Sequence, residues 1–175
     1  MSTKSVSAVP FLLLLLLLLG GAAGCRRAGS DDPETLSKRF NAACALSARG
    51  QYAQAETEFR AVFNLQEHVL GSEHPSTLAT RHNLAVAFQA QGKYLLAEKE
   101  NRAVLASRER ALGADHPDVL ISCYQLALAL QAQAQNPEAL RYARRAWEGL
   151  RKSLGETHPH TLAARKLLEE LAPSK

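Results

Sequence analysis

Apolar positions along the chain fall into two regimes. Phe11 to Leu19 is an unbroken apolar run with eight leucines, whereas from about residue 34 apolar residues recur at helical spacing between Gly and Pro punctuation. Leu84, Ala85 and Phe88 show that helical spacing locally. The punctuation is itself periodic. Leu70-Gly71-Ser72-Glu73-His74-Pro75 recurs as Leu112-Gly113-Ala114-Asp115-His116-Pro117 and as Leu154-Gly155-Glu156-Thr157-His158-Pro159, each 42 residues on. Asn41-Ala42-Ala43, Asn83-Leu84-Ala85 and Gln125-Leu126-Ala127 keep the same period. So do Gly50-Gln51-Tyr52, Gly92-Lys93-Tyr94 and, more loosely, Ala134-Gln135-Asn136. Periods of this length mark a solenoid, because one unit cannot bury its apolar face without a neighbour.

Each unit predicts two helices. Helix A starts at the Pro, whose missing N–H costs nothing in a first turn, and ends near the Gly of the Gly-x-Tyr turn. Helix B then runs to Gly71, Gly113 or Gly155. Ala55, Ala97 and Ala139 are small where the two helices cross closely, with Glu98 expected in solvent beside Ala97. Ser30 to Glu34 predicts an N-cap followed by a first-turn Pro and acid. His160 to Leu171 predicts a closing helix, with Leu162, Leu167, Leu168 and Leu171 opposite Arg165, Lys166, Glu169 and Glu170. The expected organisation is a short linker at 25–33, repeats at about 34–74, 75–116 and 117–158, and a capping helix at 159–171: about seven helices.

Composition narrows the function more than the fold. The chain has 175 residues with 46% apolar and 22% charged, which suits one globular domain. Helix formers dominate its middle while Val, Ile and Thr are thin, which makes all-β and doubly wound α/β folds poor readings. The net charge of +4 is 21 positive against 17 negative groups, interspersed, with no basic run longer than Arg26-Arg27 or Arg144-Arg145. A nucleic-acid surface concentrates its charge instead. Ser107, Ser122 and Ser153 lie in no nucleophile elbow, no Gly-rich phosphate loop follows a strand, and Cys44 and Cys123 fall within helical repeats. The sequence therefore points to no catalytic residue and to no small-molecule substrate or cofactor. The three His-Pro pairs invite a metal reading, but equivalent positions of successive repeats stand too far apart to converge on one ion. They are expected to be structural turn residues. Packed helices likewise hold Cys44 and Cys123 beyond disulfide reach, so two buried, unpaired thiols are expected.

The apolar run near the N-terminus is preceded by Lys4 and followed by Gly20-Gly21-Ala22-Ala23-Gly24-Cys25, the pattern of an export signal. A spanning helix needs about 20 apolar residues, and Ala8 to Ala23 supplies 16. Ala22-Ala23-Gly24-Cys25 resembles a bacterial lipobox, although Ala22 stands where Leu is usual. The resemblance implies cleavage after residue 24 and a lipid anchor on Cys25; a plain secretory signal and an uncleaved anchor are the alternatives. Arg26 rather than Asp after the Cys favours the outer membrane, facing the periplasm, over the inner membrane.

The repeated blocks, above all Asn83-Leu84-Ala85, Gly92-Lys93-Tyr94, Ala97-Glu98 and Leu112 to Pro117, resemble the tetratricopeptide repeat in its 42-residue, kinesin-light-chain-like form. The resemblance covers about residues 34–170. It implies an all-α, right-handed α-solenoid of three repeats plus a capping helix, non-catalytic, that binds a protein or peptide. Two departures mark the third repeat as the most degenerate. The aromatic Phe59 of the first helix B becomes Asn101 and then Ala143, and the turn Gly and Tyr become Ala134 and Asn136. In this class helix A lines the inner groove, and a recurring Asn contacts the backbone of a bound peptide. Asn41, Asn83 and Gln125 match that position, with Phe40, His82 and Tyr124 beside them. A neighbouring row carries Cys44, Val86 and Leu128, then Ser47, Gln89 and Gln131. The other reading of the amides is that they bond the adjacent helix and hold the repeats in register. A structural subunit of a larger envelope assembly and an accessory module of an enzyme complex are the rival functions.

Overall fold

The computed structural model describes residues 32–172, so the leader, Cys25 and the linker up to residue 31 lie outside the described residues. Within them the chain is all α: seven helices, no strand, and no helix long and apolar enough to cross a membrane. The helices are α1 (Pro33–Ala48), α2 (Tyr52–Leu70), α3 (Pro75–Ala90), α4 (Tyr94–Leu112), α5 (Pro117–Gln131), α6 (Asn136–Leu154) and α7 (Pro159–Leu171). The odd-numbered helices are the A helices and the even-numbered ones the B helices. Each packs on the next, so every B helix lies between its own A helix and the A helix that follows.

The termini explain the His-Pro motif. Asp32 caps α1 by accepting the Thr35 N–H at 2.9 Å. His74, His116 and His158 cap α3, α5 and α7 through Nδ1, which accepts the N–H of Ser76, Asp118 and His160 at 3.1, 3.1 and 3.2 Å. Imidazole nitrogen thus takes the place of the usual Ser or Asp oxygen, and Pro supplies the next residue with a fixed φ. Between α1 and α2 and between α3 and α4, Gly50 and Gly92 turn the chain at φ +76° and +74°. The third such turn forces Ala134 into the same left-handed region, at φ 59°.

Packing follows the repeat. Ala55, Ala97 and Ala139 are fully buried, and so are Phe59 and Ala143; Asn101 is 2% exposed. Asn101 answers its burial by donating Nδ2 to the Gln125 carbonyl of the next A helix at 3.3 Å. A clamp also repeats: Gln91, capping α3, donates to Glu56 of α2 at 2.7 Å, and Gln133 after α5 donates to Glu98 of α4 at 2.8 Å. Glu98 also accepts from Arg102 at 2.8 Å. This corrects the expectation that Glu98 stands in solvent, because the amide after the next A helix recruits it. Arg39–Glu58 and Arg81–Glu100 join A to B within the first two repeats. The third repeat replaces that pair with Cys123 and Tyr142, which join an apolar cluster with Leu120, Leu126 and Leu150.

Two further expectations change. Cys44 and Cys123 are free thiols, but only Cys123 is buried; Cys44 is half-buried against the cluster that holds Ala43, Phe59 and Phe88. On α7, Leu167 is buried while Leu162 is 51% exposed, so the apolar stripe of the closing helix is narrower than its sequence suggests.

Ala134 generates a prediction. An L-residue in the left-handed region costs roughly 1–2 kcal/mol, which glycine avoids at some entropic expense. Ala134→Gly is therefore expected to stabilise the protein by about 1 kcal/mol, read as a higher urea midpoint at unchanged slope. An unchanged or lower midpoint would contradict the strain.

Candidate functional site

Successive A helices approach one another directly, α1 to α3 and α5 to α7, and so line the inner side of the stack. A cleft of about 290 Å³ opens there between α1 and α3, lined by Ser37, Phe40, Asn41, Gln66, Ser76 and Ala79. Asn41 is exposed in this cleft. Phe40 is half-buried against Phe59, ring centroids 5.9 Å apart, and forms an apolar wall.

Forty-two residues on, Asn83 is half-buried and donates Nδ2 to the Ala79 carbonyl of its own helix at 2.9 Å. Its amide bonds neither the adjacent helix nor another amide, and its Oδ1 keeps its acceptor capacity. Gln125, in the third repeat, is half-buried, and its backbone carbonyl carries the Asn101 bond. Val86, Gln89, Leu128 and Gln131 are half-buried along the same sides of α3 and α5. Tyr124 packs with Leu128, Tyr142 and Leu171, and burial, helped by the Glu170 charge, pushes its phenol up. The arrangement offers extended-chain partners amide acceptors and donors on either side of an apolar strip.

The floor between the A helices comes from B helices, which the reading of helix A alone missed. Gln66 accepts the Thr80 hydroxyl at 2.6 Å. At the equivalent place, Arg108 donates to the Ser122 hydroxyl at 2.9 Å and to the Asp118 carbonyl at 3.2 Å. Burial pushes the Arg108 guanidinium down, against the pull of Asp118. The third repeat places Leu150 there, fully buried. The signal was available in the period: Gln66, Arg108 and Leu150 stand 42 residues apart.

His82, on α3, lies beside this floor, within reach of the Arg108 charge. Its Nδ1 is enclosed without a hydrogen-bond partner. Burial first, and then the charge of Arg108 on α4 and of His160 on α7, push it down to about 4, against the opposite pull of Asp118 on α5. His82 is therefore neutral at physiological pH.

Nothing here resembles an activated nucleophile. Burial pushes the Cys123 thiol up to about 11 and the Cys44 thiol up as well, the reverse of a reactive thiolate. Ser107, Ser122 and Ser153 donate to Glu73, to the Asp118 carbonyl and to the Gly149 carbonyl. Among the described residues, no three His, Cys, Asp or Glu side chains converge as metal ligands.

Comparison with known proteins agrees with the architecture. A family model described as tetratricopeptide repeat matches residues 34–106 and 82–152. The crystal structure of nearly identical TPR-like repeats of a kinesin-light-chain-type protein from Podosopora anserina is 33% identical. It covers 91% of this chain and 74% of its own, with a TM-score of 0.68. A singly substituted form of that same protein is 32% identical over the same shares, with a TM-score of 0.70. No curated protein matches the chain.

The His82 geometry predicts an acid-sensitive fold. A histidine that is depressed in the folded state takes up its proton more readily when unfolded, so stability is lost as pH falls from about 6.5 towards 4. The full difference is worth roughly 3 kcal/mol. His82→Phe, which installs the aromatic type of Phe40 and Tyr124, is expected to flatten this decline in thermal melts between pH 7 and pH 4.5. Parallel curves for the two proteins would show that His82 carries no such burden.

Proposed function

The chain belongs to the tetratricopeptide repeat family, and on that premise we propose that it is a non-catalytic adaptor that holds a protein partner as an extended peptide along its inner face. The repeat generally serves as a scaffold for protein–protein interaction. The observation that carries the peptide reading is the inner surface itself. Asn41, Asn83 and Gln125 lie 42 residues apart on successive A helices beside the half-buried Val86 and Leu128, and the Asn83 amide is not spent on a neighbouring helix. Amides serve a peptide backbone without demanding a side-chain sequence, and the apolar strip supplies area.

The adaptor is further proposed to be anchored at the cell envelope through lipid on Cys25, on the outer membrane facing the periplasm. The support is the sequence Ala22-Ala23-Gly24-Cys25 after a short leucine run. Acyl chains contribute about 0.8 kcal/mol per buried CH₂, so two or more hold a protein of this size on a bilayer.

Both parts have direct tests. Pull-down from membranes with the lipidated protein supplies the partner. Asn83→Ala is expected to keep its helical circular dichroism and melting point, because the lost bond lies within one helix. It is expected to bind the captured partner five- to hundredfold more weakly, as one or two buried ligand groups lose their mates at about 1–3 kcal/mol. Normal binding would remove the amides from the site, and an early melt would return them to a structural role. For the anchor, Cys25→Ala is expected to leave an unacylated, uncleaved precursor in mass spectra. An unmodified Cys25 in the membrane-bound wild type would contradict the anchor.

A further inference from the structure

On the outer side of the stack, the repeat builds an ion cluster once and then takes it apart. Where the first repeat meets the central one, Glu73 accepts from Ser107 of α4 at 3.0 Å and from Arg110 of α4 at 2.9 Å. The equivalent residues 42 positions on are Asp115, Gly149 and Lys152, and they form no ion pair. The acid is shorter by one methylene, the hydroxyl is gone, and the forked guanidinium has become an ammonium. Gly149 lies close over α5: a Cβ there would stand 2.5 Å from a Leu120 methyl, and that side chain would have to move.

The same happens one turn towards the start of the helix. Arg102 of α4 is neutralised by Glu98 at 2.8 Å and by Glu138 at 3.0 Å. Its counterpart Arg144 finds Leu140 where Glu98 would be, and pairs with no carboxylate among the described residues. Arg141 and Lys152 are exposed and equally unpaired among those residues. Arg145, by contrast, is already engaged, donating to Glu109 at 2.6 Å and to the Ala114 carbonyl at 3.0 Å. What remains is a trough of about 730 Å³ along α6, with Leu120 in its floor and Asp115 on its wall.

We propose that this trough is a second docking surface, which takes an extended acidic segment of a partner protein across Arg141, Arg144 and Lys152. The charge of the three cations fits such a segment: the counterparts of Arg144 and Lys152 in the preceding repeat, Arg102 and Arg110, are matched by carboxylates that this repeat lacks or shortens, and Arg141, like its counterpart Lys99, has no carboxylate partner among the described residues. The size fits as well. The eleven helical rises from Arg141 to Lys152 span roughly 16 Å, the length of about five extended residues. A planar anionic bilayer fits worse, because Asp115 and Glu148 lie among the cations and repel a uniform negative surface, whereas a chain can set its acids between them. The trough faces away from the inner groove, so the two surfaces can be filled together, and this proposal stands whether or not the groove binds a peptide.

The test uses the full chain in non-ionic detergent and a fluorescein-labelled peptide of six glutamates, read by anisotropy. The triple variant Arg141→Gln, Arg144→Gln, Lys152→Gln is compared with Lys38→Gln, Arg49→Gln, Lys99→Gln, which removes equal charge elsewhere. The trough variant is expected to bind at least tenfold more weakly at 50 mM salt, the control within twofold of wild type, and wild-type binding to weaken as salt rises. Circular dichroism checks that both variants stay folded. Equal losses in the two triples would mean general charge attraction, and no binding by wild type would mean no acidic site. A trough-variant loss seen only with phosphatidylglycerol vesicles, and not with the peptide, would assign the cations to a membrane surface. Each of these three results overturns the proposal.

Discussion

Everything in this molecule rests on the double burial of the B helices. A helix such as α4 has α3 on one side and α5 on the other, and neither contact alone covers its apolar face. Ala97 sits fully buried at the crossing, where a larger side chain would hold the helices apart. Asn101 and Glu98 of the same helix then reach forward, to the Gln125 carbonyl and to Gln133, and fasten the next repeat. Stability is therefore passed between neighbours, with no single centre. That is why the third repeat tolerates losing its turn glycine, its aromatic and its A–B ion pair: Cys123 and Tyr142 join an apolar cluster in place of the charges.

The candidate surfaces are what this stacking leaves over. Interlocking consumes the sides of α3 and α5 that face the B helices, such as Leu84, Phe88, Leu126 and Leu130, all buried. The inner sides are left with amides and half-buried aliphatics, available to a partner. The enclosed Nδ1 of His82 and the half-buried Arg108 show that this side is not a plain apolar strip. Polar groups there are held by hydroxyls and carbonyls, with His82 kept neutral by its surroundings. On the outer side, the same repeat logic run with shorter or missing partners opens the α6 trough.

Most of the fold was legible in the sequence because periodicity survives any ambiguity in local propensity. The His-Pro spacing marked helix starts, and Ala97 marked the close crossing. What the sequence did not disclose were interactions decided by side-chain reach. That His74, His116 and His158 cap through Nδ1 depends on a rotamer, and that Glu98 is drawn out of solvent depends on Gln133, 35 residues away. Asn83 could have bonded either helix, and in the folded chain it donates to Ala79 of its own. The part of Arg108 in the groove floor was hidden for another reason. It lies on a B helix, while the inner face was sought on A helices alone.

Native-state hydrogen exchange of the free chain tests the central claim, that stability is transmitted from neighbour to neighbour. Double burial predicts that amides of α3, α4 and α5 exchange slowest, while α1 and α7, each packed on a single B helix among the described residues, open at lower free energy. A single opening free energy shared by all seven helices, or α1 as protected as α4, would contradict it.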